Sequence, residues 1–185
     1  MCYVFLKNNN SGHTKMKSFV EQAQFYAGYH QNITTRYTHM AGVPIVILSF
    51  MIFFGFVKIV IPGVFETSLA CLMTLAVLIY YYRLHWQLAL ALTPMMLFLL
   101  WLAHWFTLSG PSKLGIWAFI ITFIIGWGLQ LYGHFIEGKK PAFMDNLSQA
   151  LIAPLFLTAE LFFMCGYMKS LKEQIYGPGE IEIKR

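Results

Sequence analysis

Four long apolar stretches dominate the chain and decide what it can fold into. About Met40 to Ile61, Phe65 to Tyr82, Trp86 to Phe106 and Leu114 to Tyr132 each approach the ~20 residues needed to cross the hydrocarbon of a bilayer. Of the 185 residues, 58% are hydrophobic and 11% charged, and the mean hydropathy is +0.59. Soluble domains carry roughly 25% charged residues, so a water-soluble fold would leave much apolar surface exposed. Lipid removes that conflict, because it solvates a helix that is apolar all round. The expected fold is therefore all-α: a multi-pass transmembrane helical bundle of about four spans, forming one integral membrane domain over 17–168. A polar tail, 1–16, precedes it and a charged tail, 169–185, follows it, the latter expected to be solvent-exposed.

Two further segments flank the spans. Phe19, Ala23, Tyr26 and His30 recur at helical spacing within 17–31, among Lys17, Glu21, Gln22 and Gln24. That pattern predicts an N-terminal amphipathic helix at the membrane surface. The capping-rich cluster Gln31-Asn32-Ile33-Thr34-Thr35 predicts a helix interruption before the first span. The last apolar segment, Leu147 to Met168, contains Gln149, Pro154 and Glu160, and a proline inside a helix removes one hydrogen bond.

Charge counting separates the two readings of that last segment. With four spans, eleven of the thirteen Lys and Arg residues fall on the N-terminal side, leaving Lys58 and Lys113 opposite. With five spans the split becomes seven against six. The excess of basic residues on the cytoplasmic side favours four spans, a Pro-broken re-entrant or in-plane C-terminal segment, and both termini in the cytoplasm. The formal charge of +5 needs no nucleic-acid partner, since the basic residues flank apolar spans. Cys2, Cys71 and Cys165 lack the paired spacing of a disulfide framework or zinc site. The first sixteen residues lack the apolar core of a secretory signal.

The polar residues that remain are unevenly placed. His30, His39, His85 and His134 fall at one membrane face, whereas His104 lies near the opposite end of the third span and His13 in the polar tail. A single interfacial histidine is most often structural, bonded to a carbonyl or to water. Four from separate segments point instead to a common site, because ionisable groups at membrane depth are functional candidates. Gln130, His134 and Glu137 share a helical face by their spacing. A carboxylate near a histidine suits metal ligation or the orienting of a ligand, and a helix-end ion pair with Lys139 or Lys140 is the plainer alternative. Asp145, Gln149 and Glu160 form a polar stripe. Burying Glu160 among Leu157, Leu161, Phe162 and Phe163 costs energy unless it is protonated, paired or metal-linked.

There is no HExxH, CxxC, Walker A or GxGxxG motif, and the HxxxH and HxxHH boxes of membrane desaturases are also absent. Asn32-Ile33-Thr34 and Asn146-Leu147-Ser148 match the glycosylation sequon, but both fall on the expected cytoplasmic side.

Two linked motifs carry a resemblance. One is Tyr29-His30-Gln31-Asn32, followed by His39 and Gly42-Val43-Pro44. The other is Gly126-Trp127-x-x-Gln130-x-x-Gly133-His134, followed by Glu137, Lys139-Lys140-Pro141-Ala142, Asp145-Asn146-Leu147 and Ala153-Pro154. Over roughly residues 25–168 the chain resembles the 2-hydroxy-fatty-acid dioxygenases, a membrane family acting in fungal phytosphingosine degradation. The resemblance implies an Fe(II)-dependent enzyme that shortens a long-chain 2-hydroxy fatty acid by one carbon with O2, releasing CO2. The match to its motif falls on His30, His39 and His134, with His85 a further candidate ligand. Neutral imidazoles suit Fe(II), and three leave coordination positions open. Glu137, Glu160 and Arg36 are the candidate catalytic residues, Arg36 as a charge attracting the substrate carboxylate. The resemblance implies residence in the endoplasmic reticulum membrane of a eukaryote or the cytoplasmic membrane of a bacterium. A non-enzymatic lipid-binding or scaffolding protein would need the same apolar groove. A transporter is disfavoured, because the first, second and fourth spans carry almost no polar group at mid-depth.

Overall fold

The computed structural model describes residues 17–63, 65–146 and 148–177; the tail 1–16 with Cys2 and His13, Leu147, and residues 178–185 lie outside the described residues. The fold is mostly helical, with three helices among the described residues long and apolar enough to cross a membrane: α2 (Ile33–Gly55), α3 (Leu69–Thr107) and α4 (Lys113–Glu137). A short α1 (Phe19–Ala27) precedes them, and α5 (Ser148–Met164) and α6 (Lys169–Tyr176) follow.

Capping sets the start of the bundle. Ser18 caps α1 and forms a reciprocal capping box with Glu21, so α1 starts where its sequence supplies both partners. Its Phe19, Gln22, Ala23, Tyr26 and Ala27 are buried, a single face turned to the protein. The Asn32 side chain accepts the Thr34 N–H at 2.8 Å and opens α2 at Ile33, seven residues earlier than the apolar run alone predicts. The expected interruption before the first span is therefore a cap, with Thr34 and Thr35 already inside the helix.

The spine of the fold is the antiparallel packing of α2 against α4. At Gly126, a methyl group would lie 2.8 Å from Val46 Cγ2 and 2.9 Å from its backbone nitrogen. At Gly133 it would strike Thr38 Oγ1 and come within 2.9 Å of the His39 ring. At the other end, a methyl on Gly115 would lie 3.0 Å from Phe56. Small residues therefore let the two backbones touch along their whole length.

α3 is not one straight rod. A straight helix of 39 residues would measure about 58 Å, nearly twice the ~30 Å hydrocarbon core. His85 takes extended backbone angles (φ −160°, ψ 93°) and breaks it. The Tyr82 hydroxyl lies 3.1 Å from Thr93 Oγ1, although eleven residues of straight helix would separate them by about 16 Å. Both ends of α3 sit beside the end of α2: the Leu69 N–H donates to Val57 O, and Thr107 packs on Gly55. His85, at the break, packs on Phe19 of α1 at the other end of the bundle. The chain therefore runs out and back as a helical hairpin.

The structure departs from the expected fold in three places. Residues Lys58–Ile61 and Phe65–Ser68, expected as ends of two spans, form an antiparallel pair, β1 and β2, with Lys58 opposite Ser68 and Ile61 opposite Phe65. The reason is local. Ile59, Val60 and Ile61 are β-branched, and Pro62-Gly63, with Gly63 at φ +74°, reverses the chain. The last apolar segment is not broken at Pro154. α5 runs through it, and the bend of 120° falls between α5 and α6, where Gly166 and Met168 adopt positive φ. Finally, the start of the charged tail is ordered: α6 packs on α1 and buries Ile175.

Candidate metal centre

Three buried histidines meet where α1, α2 and α4 converge. Each of His30, His39 and His134 offers a nitrogen within 4.8 Å of the others. His30 follows α1, His39 sits two turns into α2 and His134 lies in the last turn of α4. His30 and His39 are each 1% exposed. The His39 and His134 Nε2 atoms are 3.2 Å apart, which the contact of α2 with Gly133 makes possible.

Backbone carbonyls decide which nitrogens face inward. His30 Nδ1 lies 2.9 Å from Tyr26 O and His39 Nδ1 lies 2.8 Å from Thr35 O. A carbonyl only accepts, so both Nδ1 atoms carry the proton and both Nε2 atoms present lone pairs. His30 Nε2 is buried without a hydrogen-bond partner among the described residues. Burial lowers the His30 pKa to about 3, so the ring is neutral. Imidazoles oriented through Nδ1 by carbonyls, as His30 and His39 are, belong to the donor set that a divalent transition metal takes. His134 Nδ1 has no partner among the described residues, but its Nε2 faces the same point, and the three residues fit one metal.

His30 stands on a connection rather than a helix, and side chains hold that connection at every residue. Lys139 Nζ donates to Gly28 O at 2.7 Å, and the Tyr29 hydroxyl donates to Asp145 at 2.7 Å. Arg36 Nε donates to His30 O at 3.1 Å. The Glu137 carboxylate accepts the backbone N–H groups of Gln31 and Asn32 at 3.0 and 2.9 Å. Lys140 and Tyr29 together hold Asp145 below the usual carboxylate range. From inside, the Tyr26 ring stacks on His30 at 4.0 Å between centroids.

The candidate residues thus divide. His30, His39 and His134 come together; His85 does not join them. Its Nδ1 faces the Leu88 N–H at 3.4 Å, and its ring meets Phe19 edge-on. His104 is exposed. Glu137 is not one of the three residues that meet and forms no ion pair with Lys139 or Lys140 among the described residues; its carboxylate clamps the His30 connection. Glu160, its side chain 3% exposed, pairs with Arg36 at 2.9 Å and accepts the Tyr176 hydroxyl at 2.6 Å. Arg36 is committed to Glu160 and to His30 O, and it does not line the cavity described next. Lys140 pairs with Asp145. Sequence reasoning missed Tyr26 and Thr35 as orienting groups, although each stands four residues before its histidine, the spacing of one helical turn.

An apolar cavity of about 400 Å³ opens from the histidines. It runs along α2 past Val43, Ile47, Phe50 and Phe54, and is lined further by residues of α3, α4 and α5. α3 and α4 each pack on α2 and touch one another far less. Such a space takes a long apolar chain with one end at the three imidazoles.

The profile described as 2-hydroxy-palmitic acid dioxygenase Mpo1-like matches residues 16–165. The chain is also similar to the 2-hydroxy-palmitic acid dioxygenase MPO1 of Saccharomyces cerevisiae, 33% identical over 169 residues, covering 89% of this chain and 90% of that protein. No solved structure matches. The chain belongs to the 2-hydroxy-palmitic acid dioxygenase Mpo1-like family and is a dioxygenase enzyme.

Proposed function

We propose that the protein shortens a long-chain 2-hydroxy fatty acid by one carbon, using Fe(II) at His30, His39 and His134. The observation that carries this reading is the convergence of three buried imidazoles at the head of an apolar cavity. The relative's name supplies the substrate class. The overall change balances as R–CH(OH)–COOH + O2 → R–COOH + CO2 + H2O. The C1–C2 bond breaks, C2 becomes the new carboxyl carbon, and O2 accepts the four electrons that C1 and C2 lose.

Bound iron supplies the redox chemistry with O2 and a positive charge for the substrate's polar end. The protein does the rest. Tyr26 O and Thr35 O keep two imidazoles in the ligating tautomer. The clamped connection holds His30 in register with the two helical histidines. The cavity excludes water and extends the acyl chain beside α2. From His39 to Phe54 the helix rises about 22 Å. An extended chain advances about 1.25 Å per carbon, from the C–C bond length, so the groove accommodates roughly sixteen to eighteen carbons. The decisive experiment loads the purified protein with Fe(II) anaerobically, admits O2 with 2-hydroxypalmitate or palmitate, and analyses the products. Only the hydroxy acid should yield CO2 and the acid one carbon shorter. Binding of both acids without CO2 from iron-loaded protein would leave a lipid-binding protein instead.

The same reading sets the topology. α2, the two limbs of α3, and α4 make four crossings, and α5 lies in plane at the histidine end. The α5 contacts support this. Leu151 O accepts the hydroxyl of Tyr81, one turn before the His85 break, and Glu160 meets Arg36 in the first turn of α2. The basic residues Arg36, Arg83, Lys139, Lys140, Lys169 and Lys172 gather at this end, so we place it in the cytoplasm. The host membrane is the endoplasmic reticulum in a eukaryote or the cytoplasmic membrane in a bacterium. Labelling of cysteines introduced at Lys58 and Lys169 should report opposite sides; a same-side result would overturn four crossings.

A further inference from the structure

Gln149 is a buried polar residue that the three-histidine centre does not use. It is 2% exposed, and its Oε1 has no hydrogen-bond partner among the described residues. Buried polar atoms are nearly always satisfied, and an orphan calls for an explanation. Gln149 stands at the start of α5 and lines the histidine cavity together with His30, His39 and His134. It also lines a second hollow, on the polar side, with Lys17, Glu21, Tyr29 and Asp145. Its side chain is therefore part of the wall between the polar surface and the head of the apolar cavity. Trp127 Nε1 is also unpartnered. Seven residues before His134, it lies about 10 Å further down α4, level with the acyl chain rather than the head.

We propose that Gln149 reads the 2-hydroxyl of the substrate and makes the site specific for hydroxy acids. This rests on the cavity being the fatty-acid site. With the acyl chain along α2, the polar end of the acid stands at the wall to which Gln149 belongs. A 2-hydroxyl group donates one hydrogen bond, and the Gln149 amide oxygen is an acceptor without a donor. A plain fatty acid at the same place leaves that acceptor buried and unsatisfied, and so binds more weakly. Discrimination then comes partly from the protein, independently of any chelation by metal.

Metal-stripped full-length protein isolates this contribution. Displacement of a fluorescent fatty acid by 2-hydroxypalmitate and by palmitate gives the preference of each protein. The parent should favour the hydroxy acid by roughly ten-fold, the value of one net hydrogen bond. Gln149→Met, a linear apolar replacement, should bring the ratio close to one while palmitate affinity is kept. Gln149→Leu gives the same readout should the first variant fold poorly. A parent without preference, a variant that keeps it, or an equal loss of affinity for both acids would each overturn the assignment. Turnover by the iron-loaded parent is scored separately. Preference without turnover sinks the dioxygenase reading alone, and turnover without preference sinks the role of Gln149 alone.

Discussion

Replacing Glu137 by glutamine tests whether this carboxylate is a ligand or a clamp. In the structure it accepts two backbone N–H groups, Gln31 at 3.0 Å and Asn32 at 2.9 Å. A hydrogen bond to a charged group contributes about 1.5–3 kcal/mol when well buried. The first of these is exposed and the second only partly buried, so solvent screening reduces the pair to roughly 2 kcal/mol together. Glutamine keeps one acceptor and turns an NH2 group toward the second N–H, removing one bond and charge assistance from the other. Three clamps survive, at Gly28, Tyr29 and His30 itself, so the connection should loosen without unfolding. Orienting groups behind metal ligands typically influence affinity by 10–100-fold. Glu137→Gln should therefore weaken Fe(II) binding about ten-fold, measured anaerobically against a competing chelator, with the helical content by circular dichroism unchanged. Affinity equal to the parent would refute the clamp. Loss as complete as in His30→Ala would show instead that Glu137 ligates the metal.

Four further outcomes follow from the same geometry. Single alanine variants of His30, His39 and His134 should each lose iron by elemental analysis, while His85→Ala and His104→Ala retain it. Metal-free protein should lose stability as pH falls from 6.5 toward about 3, because the unfolded chain protonates His30 across that window and the folded one does not; a shift of that size is worth roughly 5 kcal/mol at most, and a melting temperature flat between pH 7 and 5 would contradict it. Gly133→Ala should drive Thr38 and His39 off their positions, costing about 1–3 kcal/mol and most of the metal affinity; unchanged iron content would argue against tight packing there. Glu160→Ala should leave Arg36 without its counter-charge, at a cost of roughly 3 kcal/mol in chemical denaturation, and Glu160→Gln should recover part of it through the Tyr176 hydroxyl.

The sequence carried part of this fold more legibly than the rest. Apolar length marks α2 and α4, because it is the physical requirement for a span, but the caps Asn32 and Ser112 set where the helices open, and at Asn32 that is seven residues before the apolar run. Hydropathy does not separate strand from helix at Ile59-Val60-Ile61, since it registers apolar character and not conformation, and Val60 and Ile61 stay exposed in the strand. β-branching beside Pro62-Gly63 was the available signal. The level of a histidine along the bundle axis was readable from its distance to a span end, but its direction around the axis was not. That is why His85 shares the level of the site and points to Phe19. Glu137 was placed on the right face of α4. Gly138, left-handed at φ +68°, ends the helix just after it, and the connection 28–32 reaches that end and takes both carboxylate oxygens. Only tertiary structure shows which backbone arrives there. Gln149 was visible as part of a polar stripe, but the stripe does not act as a unit. Asp145 faces Tyr29 and Lys140, Glu160 faces Arg36, and Gln149 alone is left toward the cavity.

The centre depends on helix register more than on any loop. His39 and His134 come from rigid elements whose backbones touch at Gly133, and a one-residue rotation of α4 would swing His134 by about 100°. The small residues that fix this register, Gly42, Gly126 and Gly133, lie on the same α2–α4 seam as the histidines. Packing of the apolar bundle and the meeting of two of the three candidate ligands are therefore coupled. His30 is different, because it lies past the end of α1, where only turn bonds such as Tyr29 N–H to Tyr26 O and His30 N–H to Ala27 O continue the backbone ladder. Its backbone and neighbours are instead held by Lys139, Asp145, Arg36 and Glu137, from α2, α4 and the segment after α4. The third imidazole joins only when those elements have docked, and it is the one whose support can be weakened without disturbing the bundle. Graded loss of metal from substitutions around His30, against all-or-none loss from substitutions along the α2–α4 seam, is the pattern this architecture demands.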